Sequence, residues 1–315
     1  MSKIAVVGCG LVGRAWAISF ARAGHDVALW DENPDAPAVA LDFVAGMLPD
    51  LVGNDLLNGE TPEAVLGRIR PGSDLAAALE GIDYLQECTP EDLEVKRAVF
   101  ARLDAAAPDG AILASSTSAL LPSSFTEGLA GQARCLVAHP INPPYLIPAV
   151  ELIPAPWTAA DTVERVRALM QGAGHVPIVL EREIDGFVVN RLQGALLEEA
   201  FRLVDDGITD AEGVDAAIRD GLALRWSFMG PFETIDLNAP GGIRDYAERY
   251  QRIYARIHPS MQRRADWTGP VMDRIEADRR ARLPEDRLAD RHGWRDRRLM
   301  GLLAHKREAD REIGE

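Results

Sequence analysis

Six residues near the N-terminus, Gly8-Cys9-Gly10-Leu11-Val12-Gly13, constrain the chain more than any bulk property does. They follow a short β-branched run, KIAVVG (3–8), that reads as a buried parallel strand. They open LVGRAWAISFARAG (11–24), whose apolar residues recur at helical spacing and which stops on Gly24. DVALWD (26–31) then reads as a second strand ending on Asp31. Strand, glycine turn, helix and a strand with a terminal acid make up a mononucleotide-binding half of a doubly wound sheet. Gly8 would permit the tight turn, Gly10 the approach of a pyrophosphate to the backbone, and Gly13 the close packing of helix on strand. The unbonded N–H groups at the helix start, where Leu11 and Val12 lie, would face the phosphates. Asp31 would accept from a ribose 2′-OH and repel a 2′-phosphate, which favours NAD over NADP. The competing reading is a tight turn that needs glycine only for packing.

Strands and helices continue to alternate. A helix start at Thr61-Pro62-Glu63 precedes EAVLGRI, strand IDYLQE (82–87) leads to helix EVKRAVFARLDAAA (94–107), and AILASST (111–117) and RCLVAHP (134–140) read as strands. AVELIP (149–154), helix DTVERVRALMQGAG (161–174) and strand VPIVLER (176–182) close the series. Beyond about Ile184 the period changes: GFVVNRLQGALLEEAFRLVDDG (186–207) and DAEGVDAAIRDGL (210–222) are amphipathic helices, and no strand signal follows. The expected architecture is therefore α/β, an N-terminal Rossmann-type doubly wound sheet over residues 1–184 followed by an all-helical domain over 185–315.

Composition narrows the function. A net charge of −15 argues against nucleic acid or an anionic membrane surface as partner, since either needs a basic face. No apolar stretch in the sequence comes near the ~20 residues of a bilayer span. Cys9, Cys88 and Cys135 are odd in number and match neither a zinc site nor a disulfide framework, so a reducing, cytoplasmic location and no metal are expected. Cys9 and Cys88 read as small packing residues rather than nucleophiles.

VAHPINPPYLIPAVELIPAP (137–156) sets His139 in a proline-rich turn and returns Glu151 on the next strand. From the residues alone, His139 is either half of an acid–base pair or a satisfied loop histidine. With SSTSALLPS (115–123), LQECTPEDLE (85–94), GFVVNRLQGALLEEAFRLV (186–204), GLALRWSFMGPFETIDLN (221–238) and WRDRRLM (294–300), the chain resembles the 3-hydroxyacyl-CoA dehydrogenase superfamily almost end to end, and most closely its lambda-crystallin branch. The resemblance implies that His139 removes a hydroxyl proton, that Glu151 orients it, and that Ser118 and Asn190 hold the substrate oxygen and its surroundings. It also places Glu91 and Lys96 with the cofactor and Asn142 near the substrate. Active members of the branch are L-gulonate 3-dehydrogenases, and the family usually forms homodimers through the helical domain. A histidine fits such chemistry, because moving a hydride from a secondary alcohol requires the hydroxyl proton to leave as well.

Two stretches bear on the substrate. Residues 32–67 contain no lysine or arginine but seven acids, Glu32, Asp35, Asp42, Asp50, Asp55, Glu60 and Glu63, where acyl-CoA enzymes carry a basic insert. Such a stretch should repel a CoA phosphate. Arg225, just before the MGPFE string, could hold the carboxylate of a small hydroxy acid or could form a surface ion pair. The expected activity is NAD-dependent oxidation of a small 3-hydroxy acid such as L-gulonate. L-Carnitine, a 3-hydroxyacyl-CoA and a non-catalytic, crystallin-like protein are the alternatives. No aromatic cage for a quaternary ammonium can be located in the sequence.

Overall fold

The computed structural model describes residues 1–314. Two compact units divide the chain: residues 1–188 together with the chain from Asp296 onward, and Val189–Arg295. The first is built on an eight-stranded sheet: β1 (Lys3–Val7), β2 (Asp26–Trp30), β3 (Ile69–Pro71), β4 (Tyr84–Glu87), β5 (Ile112–Ser115), β6 (Cys135–Pro140), β7 (Ala149–Pro154) and β8 (Val176–Val179). Its order is β3-β2-β1-β4-β5-β6-β7-β8, and every neighbouring pair is parallel except β6 with β7.

The strands are short and apolar because both sheet faces are covered. In β1, Ile4 and Val6 enter one buried cluster with Trp16 and Phe20, while Ala5 and Val7 enter the other with Phe100 and Leu103. That alternation is what a doubly wound sheet demands of its central strand. Strand order reverses at β1, where Val7 registers with both Trp30 of β2 and Glu87 of β4. A crevice at the carboxyl ends of these strands follows from the topology.

Helix α1 (Leu11–Arg22) covers the first face and buries nine of its twelve residues. Helix α2 (Ala36–Gly53) lies within the acidic stretch and has the length and mean hydropathy of a membrane span, which the sequence reading did not detect. Its stripe Ala40, Val44, Leu48 and Leu51 is packed into the core beside α1, which accounts for that hydropathy. The three-residue edge strand β3 also went unforeseen, being too short to carry a period.

The second unit is helical, as expected, with Val189–Asp205, Gly242–Ile257 and Pro270–Arg282 its longest complete helices. The expected division at 184/185 needs one correction, at the tail. Residues 296–314 belong to the first unit rather than to the helical domain. Met300 is fully buried in the first unit's core, Tyr145 donates to Asp296 at 3.3 Å, and Arg307 donates to the Asp55 carbonyl at 2.7 Å. A charged sequence with sparse apolar positions hid that packed stripe.

Candidate active site

The glycine turn has the geometry its motif implies. Gly8 adopts φ +95°, and a Cβ there would sit 2.6 Å from the Cys88 carbonyl oxygen. A Cβ on Gly13 would sit 1.9 Å from the Gly8 oxygen. At Gly10 nothing lies within 4 Å of that position, so a ligand can approach the backbone there. Gly10 also caps α1 without a side-chain hydrogen bond, which leaves the first-turn N–H groups, at Leu11 and Val12, to an anion. Asp31 links the two crossovers: Oδ2 accepts from the Cys9 N–H at 2.7 Å and Oδ1 from the Asn33 N–H at 2.9 Å. Gly8, Gly10 and Asp31 all line one cleft of about 830 Å³, walled by the apolar side chains of Leu75, Val95 and Val99. These features fit a dinucleotide.

Thiol chemistry has no support beside this cleft. Burial raises the Cys9 thiol to about 12, with Asp31 adding to the shift, and burial likewise pushes the Cys88 thiol far up. Both remain protonated packing residues. Among the described residues no group of histidine, cysteine and carboxylate side chains could hold a metal ion.

The hairpin β6–β7 positions the acid–base pair. Antiparallel register sets His139 directly opposite Glu151, and Nδ1 lies 2.8 Å from Oε2 with both side chains buried, 5% and 0% exposed. The other carboxylate oxygen accepts from the Val188 N–H at 2.6 Å. Phe187 packs its ring 5.4 Å from the imidazole and holds φ +48°, a conformation rare for a bulky residue. An ionised carboxylate can only accept, so the proton of a neutral imidazole sits on Nδ1 and Nε2 is left as a base.

Ser118 leaves the sheet close by. Ser115 of β5 registers with Val137 of β6, so Ser118 and His139 both emerge at the carboxyl ends of neighbouring parallel strands. Glu91 fixes this loop: its carboxylate accepts from the Thr117 hydroxyl, from the Ala119 N–H at 3.1 Å and from the Ser118 N–H at 3.3 Å. Asn142 is exposed in the turn after β6.

Lys96, expected with the cofactor, lies beneath the loop that carries Glu91. Its ammonium is buried, donating to both oxygens of Glu87 at 2.8 and 2.9 Å and to the Thr89 carbonyl at 3.0 Å. All three donors of the ammonium are occupied within the protein. Glu87 also accepts from the Ser115 hydroxyl at 2.6 Å. The ion pair thus braces the loops on either side of Glu91. Sequence reasoning missed Glu87, Phe187 and the Val188 N–H. A carboxylate at the end of an otherwise apolar strand was the available signal for Glu87.

In the helical unit, Asn190 is the second residue of the helix Val189–Asp205. Arg225 is exposed and donates to Asn238 Oδ1 at 3.4 Å, with no acidic partner at ion-pair distance among the described residues. Tyr246 and Tyr250 stack at 4.5 Å, and the Tyr246 and Tyr254 hydroxyls lie 2.9 Å apart. The hydrogen bond with Tyr254 raises the Tyr246 phenol above its ordinary range, and the nearby Arg225 cation partly opposes that shift.

Comparison with known proteins agrees with the geometry. Residues 3–184 match the family model of the 3-hydroxyacyl-CoA dehydrogenase NAD binding domain, and residues 186–270 that of the C-terminal domain. A lambda-crystallin homolog of Bos taurus is 44% identical over 308 residues, spanning 97% of this chain and 96% of its own. An L-carnitine dehydrogenase of Pseudomonas sp is 34% identical over 304 residues, spanning 96% and 93%. Among solved structures, a 5-formyl-3-hydroxy-2-methylpyridine 4-carboxylic acid 5-dehydrogenase, an NAD+ dependent dismutase, superposes with a TM-score of 0.82 at 25% identity, covering 96% of this chain and 97% of its own.

Proposed function

The chain belongs to the 3-hydroxyacyl-CoA dehydrogenase family, an NAD-dependent oxidoreductase family, and from that premise we propose that it oxidises the 3-hydroxyl of a small free hydroxy acid, L-gulonate to 3-dehydro-L-gulonate. The observation that carries the reading is the buried His139–Glu151 pair. NAD, when bound, supplies the hydride acceptor. His139 Nε2 takes the hydroxyl proton, a contribution of typically ~10²–10⁴-fold in rate. Glu151 holds the ring through Nδ1 and stabilises the imidazolium as it forms, while the Val188 N–H keeps the carboxylate from rotating away. Ser118 and Asn190 donate to the substrate oxygen, and Glu91 acts behind Ser118 by fixing its backbone. Arg225 takes the substrate carboxylate and Asn142 a neighbouring hydroxyl.

Two observations support a free acid over a CoA thioester. The stretch 32–67 carries seven acids and no lysine or arginine, and Arg225 is a cation without an acidic partner among the described residues of a chain that carries −15. L-Carnitine is the second reading, favoured by the Tyr246, Tyr250 and Tyr254 cluster within electrostatic reach of Arg225. Three phenol rings and one guanidinium suit a quaternary ammonium carried on the same molecule as a carboxylate. The exposed side chains of Phe228, Phe232 and Leu237 suit a homodimer, and the free cysteines Cys9, Cys88 and Cys135 suit a reducing, cytoplasmic setting.

Following NADH formation with L-gulonate, L-carnitine, 3-hydroxybutyrate and 3-hydroxybutyryl-CoA in parallel tests this directly. L-Gulonate should turn over with the highest kcat/KM, and His139→Gln should lower kcat about 10³-fold. Faster turnover of the CoA thioester would overturn the reading.

A further inference from the structure

Beyond Asp31 the cleft contains a feature that the dinucleotide motif does not require. Arg102, half exposed, lies with its guanidinium carbon 5.0 Å from the centre of the Trp30 ring, and its Nη1 donates to Glu32 Oε1 at 3.2 Å. All three line the cleft together with Leu75, Val95 and Val99, on the side where the acid ending β2 directs the adenosine ribose. An arginine in this position is what NADP sites use to take the 2′-phosphate. In a chain that uses NAD, it is a latent attraction for the wrong cofactor.

We propose that Glu32 sets the choice of dinucleotide by holding Arg102. The ion pair presents a flat, charge-cancelled platform beside Trp30 for the adenine, and it withholds the guanidinium from a 2′-phosphate. Asp31 and Glu32 therefore have separable duties. Asp31 accepts backbone N–H bonds from Cys9 and Asn33, so changing it disturbs the glycine turn itself. Glu32 is 79% exposed and among the described residues bonds Arg102 alone, so changing it frees Arg102 without disturbing the backbone. This inference depends on NAD alone and holds whichever hydroxy acid is oxidised.

Calorimetric titration of the full chain with adenosine 5′-monophosphate and with adenosine 2′,5′-bisphosphate tests it without turnover. Glu32→Gln should bind the bisphosphate about fivefold more tightly than the parent does, the scale of one exposed charge pair released to a phosphate, and the monophosphate equally well. Arg102→Gln should weaken the monophosphate about threefold through loss of the cation–π platform. In Glu32→Gln/Arg102→Gln the gain for the bisphosphate should vanish. Unchanged bisphosphate affinity in Glu32→Gln overturns the proposal. A gain that survives in the double variant also overturns it, because Glu32 would then be acting by direct repulsion. Retained monophosphate binding in Glu32→Gln verifies that this variant is folded.

Discussion

The two units of the chain differ in how much charge they bury. Beside exposed pairs such as Arg102–Glu32, the sheet unit buries and encloses several charged side chains: Glu87 with Lys96, Glu151 with His139, and Arg22, whose guanidinium donates to the Tyr145 and Leu56 carbonyls. In the helical unit, ion pairs such as Arg219–Asp220, Arg249–Asp245 and Arg263–Asp206 stand in solvent, with Arg202 the main exception. Apolar groups follow the same division. Helix α1 buries nine residues, whereas the strongly amphipathic helix Gly242–Ile257 buries none. The contrast teaches that acid–base geometry is assembled where the dielectric is low and every carboxylate oxygen is spoken for. The helical unit instead presents apolar and charged side chains at its surface.

The sharpest test of that contrast is the Lys96–Glu87 pair. Removing one partner of a buried pair leaves an uncompensated charge, so Lys96→Met should lower the unfolding free energy by about 3–5 kcal/mol in urea. Lys96→Met combined with Glu87→Gln should recover much of that loss, since no charge is then stranded. A single variant as stable as the parent would mean that the sheet unit tolerates bare buried charge, and the comparison would fail.

His175 gives the next largest effect, through pH. Burial, with a smaller push from the Arg22 cation, lowers its imidazole from 6.5 to about 4, and Nε2 is enclosed without a partner. The unfolded chain therefore takes up a proton near pH 6.5 that the folded chain refuses until about pH 4. Stability from this residue is complete above pH 6.5 and is lost as pH falls through that window, by about 3 kcal/mol in all. His175→Phe should flatten the difference between urea midpoints at pH 7 and pH 4.5. An unchanged slope would place the acid sensitivity elsewhere.

How much could be read in advance divides along the same line. The β1–α1–β2 glycine turn was legible because Gly8, Gly13 and Asp31 each answer a local steric or electrostatic demand that survives in the sequence pattern. The His139–Glu151 pairing was legible only through resemblance, since a twelve-residue spacing does not reveal the antiparallel register that joins the two side chains. The Lys96–Glu87 pair was not legible, because a lysine early in a helix looks solvent-directed and nothing local signals the buried Glu87 nine residues before it. The tail was misjudged for a related reason. Met300 and Arg307 are held by partners far away in sequence, beyond what periodicity can report.

The smallest expected effect lies on the helical side, and it is informative for being small. Arg263 bridges Asp205 and Asp206 at 3.0 and 2.6 Å and so joins two segments nearly sixty residues apart, which would make it a candidate staple if geometry alone decided. Solvent decides otherwise. With these side chains between 36% and 56% exposed, water and salt screen the attraction, and ordering three flexible side chains opposes it. Arg263→Ala removes both bridges but keeps the Arg263 carbonyl that accepts from Arg202 at 2.7 Å, so the backbone link between the segments survives. Its melting temperature should match the parent's at low salt and again in 1 M salt, where the Debye length falls to about 3 Å. A clear loss at low salt that disappears at high salt would show that the helical unit also relies on its charges, and the division between the two units would then be one of degree.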